Sequence, residues 1–129
     1  MRRPAWCGGP RWRNYGAMQR LWISAAGVSG LLAVGLSAID AHAELDARAM
    51  VQSVAMLLGW HAPALIGLAL WNRRQGNLVA GVLVAGLVLF SGAVLVRAFA
   101  GVSLGPVAPI GGTMMMAGWA LLAVLAWRR

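Results

Sequence analysis

The sequence predicts an all-α, membrane-embedded four-helix bundle, with both termini on the cytoplasmic side and short loops. Three observations carry this expectation: too little charge for a soluble surface, four apolar runs of spanning length, and arginines gathered on one flank of those runs. Hydrophobic residues make up 60% of the chain and charged residues 11%, where soluble domains carry about a quarter charged residues. The surplus apolar surface has to face lipid.

The runs cover about residues 21–39, 49–71, 78–96 and 107–127, and none contains Asp, Glu, Lys or Arg. Each is roughly 19–23 residues, the length a helix rising ~1.5 Å per residue needs to cross a hydrocarbon core ~30 Å thick. Lipid offers the backbone no hydrogen bonds, so these runs read as helices. The fourth opens on Gly105-Pro106-Val107-Ala108-Pro109-Ile110-Gly111-Gly112. Proline suits a first helical turn, whereas two glycines soon afterwards weaken one. Part of this turn is expected at membrane depth, where free N–H groups could receive an anion or substrate. A rigid start to the helix is the plainer role.

The net charge of +8 arises from eleven arginines against Asp40, Glu44 and Asp46, with no lysine. Arg2, Arg3, Arg11, Arg13 and Arg20 precede the first run, Arg73 and Arg74 follow the second, and Arg128 and Arg129 end the chain. Only Arg48 and Arg97 fall on the other side, together with the three acids. Cytoplasmic segments collect arginine, which places both termini on the cytoplasmic side. Trp22, Trp71 and Trp127 sit beside arginines, as interfacial anchors do. Nucleic-acid binding would need a basic face on a folded soluble domain, and these arginines instead bracket apolar runs.

Residues 1–17 are rich in Arg, Gly, Pro and Trp without periodicity and read as a disordered basic tail before a transmembrane domain at 18–129, with Met18 an alternative start. The single cysteine, Cys7, excludes an internal disulfide and a Cys-based metal site. A rival reading makes the first run a cleavable signal peptide ending at Ala41-His42-Ala43. That run is longer than the ~7–15 apolar residues of a signal core, which favours retention.

Small residues mark candidate packing faces. Ala26, Gly30, Ala33 and Ser37 form one stripe on the first helix, and Gly81, Ala85 and Gly92 a similar one on the third. Such stripes let membrane helices approach closely, and both are expected to face the bundle or a second copy of it.

His61 lies about halfway along the second run, before Pro63. An ionisable group at that depth suggests function, and Pro63 frees the carbonyl of Gly59. The two could form a polar site with Ser91 or Thr113. The alternative is a neutral His61 bonded to a neighbouring helix, which is favoured because no carboxylate shares its depth to make a proton relay. His42 sits among Asp40, Glu44 and Asp46 in a loop that could in principle hold a cation. A solvated acidic loop explains it more simply, so no metal ligand is assigned. Haem ligation by His42 and His61 fails because one lies at the membrane surface and the other midway across. No cofactor is expected. Asp40 and Arg97 end the first and third runs at the same depth, where a pair costs less than two separate charges, and are expected to form a salt bridge.

From Met18 to the end the chain resembles the YgdD/YwdK-type family of small inner-membrane proteins, domain of unknown function 423, whose relatives include a small eukaryotic transmembrane protein. The resemblance rests on Ala38-Ile39-Asp40-Ala41-His42-Ala43 with Leu45-Asp46, and on His61-Ala62. It continues in Leu89-Phe90-Ser91-Gly92 and in Leu104 to Gly112 followed by Ala117-Gly118-Trp119. It implies four spans, no established activity, and a retained first helix. Asp40, Trp60, Pro63 and Arg97 depart from the residues usual in that family, and Pro63 puts transfer of any second-helix role in doubt.

Three classes of function remain. A non-enzymatic component of a larger membrane assembly fits the small-residue stripes and tiny loops best. A small homo-oligomeric transporter or channel would use His61 and the Pro109–Gly112 turn to line its path. An enzyme is weakest, since no nucleophile–base pair or carboxylate dyad falls at one depth, and no catalytic residue is assigned. The expected partners are the lipid bilayer and either further copies of the chain or other membrane proteins.

Overall fold

A computed structural model describes residues 16–42 and 45–127. Residues 1–15 of the predicted tail, with Cys7, residues Ala43 and Glu44, and the terminal Arg128 and Arg129 lie outside the described residues, as do the side chains of residues 45 and 46, whereas Ala17, read as the tail's last residue, already begins a helix. Four helices form: α1 (Ala17–Asp40), α2 (Leu45–Trp71), α3 (Arg74–Ala100) and α4 (Val107–Trp127). All four are long and apolar enough to cross a membrane, and no strand occurs among the described residues.

The first three helices overrun their apolar runs by about a turn, because polar residues in the headgroup layer continue a helix with water satisfying its ends. The fourth starts at Val107, with Pro109 in its first turn and the Ile110 N–H donating to the Pro106 carbonyl at 3.0 Å. Gly111 and Gly112 therefore lie inside the helix rather than before it. α2 continues through Pro63. Asn72, at φ 46°, turns the chain from α2 into α3. Gly101 caps α3 at φ 68°, a left-handed geometry that suits glycine, and its N–H donates to the Arg97 carbonyl at 3.1 Å.

α1 packs along α2, α2 along α3, and α3 along α4. α1 meets α3 through Trp22, whose Nε1–H donates to Asn77 Oδ1 at 2.9 Å. Trp22 is thus buried within the protein. Two apolar clusters fill the joints. One gathers Trp22, Ala26, Leu65, Leu68, Val79, Ala80 and Leu83; the other gathers Ala33, Leu36, Val51, Val54, Leu58, Leu87 and Met115.

The α1 stripe packs on α2. A Cβ added to Gly30 would lie 4.0 Å from the Cβ of Ala62, and one added to Gly59 3.7 Å from that of Ala33, an antiparallel register. Ala26 is buried, while Ser37 is exposed and donates to the Ala33 carbonyl at 2.8 Å.

The α3 stripe does not face the bundle along its whole length. Gly81 meets Trp22, but Ala85 is exposed and Gly92 has nothing within 4 Å of its Cβ position. The close seam runs through Gly86 instead. A Cβ there would lie 2.8 Å from the Gly111 carbonyl oxygen and 2.9 Å from the Met115 nitrogen. One on Gly111 would strike the backbone of Phe90, and one on Gly118 would lie 2.6 Å from Leu83 Cδ2. Adjacent helical residues point about 100° apart, so a stripe through 85 misses the partner that 86 touches.

Candidate functional site

His61 is buried, 4% exposed, on the face of α2 turned toward α4. Its Nδ1 lies 2.7 Å from the Leu57 carbonyl oxygen one turn back. Its Nε2 lies 3.3 Å from Trp119 Nε1 on α4, and the rings meet edge-on with centroids 5.8 Å apart at 61°. Indole N–H only donates and a carbonyl only accepts. The two contacts therefore suit one tautomer, with the proton on Nδ1 and the Nε2 lone pair turned to Trp119. Both ring nitrogens are engaged within the protein, and the imidazole ties α2 to a helix with which it shares no close backbone approach.

The other polar residues are not brought to it. Thr113 is exposed and donates to the Ile110 carbonyl at 2.8 Å. Ser91 is buried and, with Ser29, lines an apolar cavity of about 270 Å³ between α1, α2 and α3. Its Oγ has no hydrogen-bond partner, whereas Ser37 and Ser53 bond the carbonyl four residues back. Pro63 is exposed. The polar site of His61 with Ser91 or Thr113 does not assemble, because these residues occupy different helix faces. A buried hydroxyl without a partner costs about 1–3 kcal/mol. Ser91→Ala is accordingly expected to leave thermal stability in detergent unchanged or raised, and a drop would show that the hydroxyl has a partner.

Asp40 and Arg97 do not pair. Asp40 lines a cleft of about 310 Å³ between α1 and α2 with Ser37, Gln52 and Met56, and its buried Oδ1 has no partner. Arg97 lines a different hollow, with Met50, Leu104 and Pro109. Equal depth fixed the height of each charge but not its direction around its helix. With no shared partner, neutralising both (Asp40→Asn with Arg97→Gln) should change unfolding free energy by the sum of the single effects, within about 0.5 kcal/mol. A larger discrepancy would mean that the charges do couple.

His42 is exposed, with its backbone N–H donating to the Ile39 carbonyl at 2.9 Å. Among the described residues, no three of His, Cys, Asp and Glu come together as a metal site would require.

Sequence reasoning missed Trp119 and the seam glycines. A signal for Trp119 existed. It precedes Trp127 by about two helical turns, and His61 precedes Trp71 by slightly more, so the two share a depth. Gly111 and Gly118 lie seven residues apart, on one face of α4.

Four helices long and apolar enough to cross a membrane define a polytopic α-helical membrane protein. The chain belongs to the family described as protein of unknown function DUF423, whose model matches residues 23–112. It is 32% identical over 124 aligned residues to the UPF0382 inner membrane protein YgdD of Escherichia coli strain K12, covering 84% of this chain and 91% of that protein. The YgdD protein of Shigella flexneri is similar to the same extent. No solved structure matches the chain.

Proposed function

We propose that the chain is a non-enzymatic structural or accessory component of a membrane assembly, inserted with both termini in the cytoplasm. The observation that carries this reading is the outward face of α1. Gly27 and Gly35 lie two turns apart on it, with Leu31 between them 74% exposed and nothing within 4 Å of either glycine's Cβ position. A glycine inside a helix costs roughly 0.5–1 kcal/mol relative to alanine, and no contact among the described residues offsets that. Close approach of a further helix would do so. The arginine distribution supports the orientation. Against a transport path through His61 stands the engagement of both its nitrogens.

Native mass spectrometry after mild extraction from the parent membrane tests the reading. The expected result is the 13.6 kDa chain in fixed ratio with a different membrane protein, in a complex lost on Gly27→Leu with Gly35→Leu. A complex of this chain alone, conducting in liposomes until His61→Ala removes the conductance, would overturn it in favour of a transporter.

A further inference from the structure

The turn between α3 and α4 forms one wall of a hollow of about 450 Å³ whose other sides come from α2, α3 and the first turn of α4. Its lining is mostly carbon, from Met50, Ala93, Val94, Leu104 and Pro109, with a single cationic side chain, Arg97. Arg97 is exposed and forms no ion pair among the described residues, since Asp40 lines a separate cleft. The hydroxyl of Ser103, also at the rim, accepts from the Gly105 N–H at 3.4 Å. The α4 N-terminus, positive end of a helix dipole, opens on the same hollow through Ala108 and Pro109.

We propose that this hollow binds an anionic phospholipid, its phosphate on Arg97 and one acyl chain along Met50, Val94 and Leu104. An arginine fork matches phosphate oxygens, and the position one turn from the end of α3 sets it at headgroup level. Free phosphate would satisfy Arg97 but leave the apolar wall uncovered. A lipid satisfies both. The site is independent of the assembly role proposed above and of which leaflet the turn faces.

The test uses the full chain, purified into nanodiscs of phosphatidylcholine doped with phosphatidylglycerol, with retained lipid read by native mass spectrometry. A basic residue near an anionic surface contributes about 1 kcal/mol, so Arg97→Gln should lower retained phosphatidylglycerol about fivefold. Ala93→Phe, which fills the hollow while keeping the charge, should lower retention of both lipids. Arg73→Gln, at the opposite membrane face, should change little. Equal losses from Arg73→Gln and Arg97→Gln would overturn the proposal in favour of diffuse interfacial attraction. So would displacement of the lipid by millimolar inorganic phosphate, which would assign Arg97 to a free anion. An unchanged thermal transition in Arg97→Gln shows that the variant is folded.

Discussion

Gly111→Leu is expected to separate α3 from α4 and to destabilise the protein by about 3 kcal/mol, the upper end of what over-packing costs. The reason is the kind of atom in the way. A Cβ on Gly111 meets the nitrogen and Cα of Phe90 and the carbonyl oxygen of Gly86, all backbone. No side-chain rotation relieves that, so the helices must part, and contacts along Leu83, Met115 and Gly118 loosen together. Gly118→Ala should cost less, since its neighbours are side-chain atoms of Leu83 and Val82, not backbone. Gly92→Ala is the control. Its Cβ position is open, and the gain in helix propensity should raise stability by about 0.5–1 kcal/mol. Denaturant titration in mixed micelles measures all three. A Gly111→Leu protein as stable as wild type would show that the seam does not exist.

His61→Ala is expected to cost about 2–4 kcal/mol, most of it from the cavity left in a closely packed joint. The hydrogen bond to Trp119 is the smaller part. Double-mutant cycles in another membrane protein average ~0.6 kcal/mol for such bonds, with a maximum near 1.7. Crossing His61→Ala with Trp119→Phe should return a coupling energy in that range. His61→Gln, whose amide oxygen can still accept from the indole, should retain more of the coupling than His61→Leu. A coupling of zero would detach Trp119 from the histidine, although the cavity cost would remain.

The four helices were legible because the membrane imposes a simple rule: apolar length and backbone saturation are properties of one segment at a time. Where α4 begins was harder, since Gly111 and Gly112 look like helix breakers until Gly86 and Phe90 are seen to need the space. Depth was argued by counting residues along each run. Azimuth was not legible. Asp40 and Arg97, expected at one height, face different clefts, and Ala85 is exposed while Gly86 touches α4. Facing direction depends on which helices neighbour one another, and no residue pattern on a single helix settles that. His61 is an intermediate case. The residue itself suggested a bond to a neighbouring helix, whereas its partner, Trp119, emerged only once α4 was placed.

A reporter that is active only outside the cytoplasm tests the four-span frame most directly, because the assembly face on α1 and the proposed orientation both depend on it. Alkaline phosphatase fused after Arg129 should be inactive, and the same enzyme fused after Val102, between α3 and α4, should be active. Activity after Arg129 would contradict the account, since it requires either an odd number of crossings or the opposite orientation.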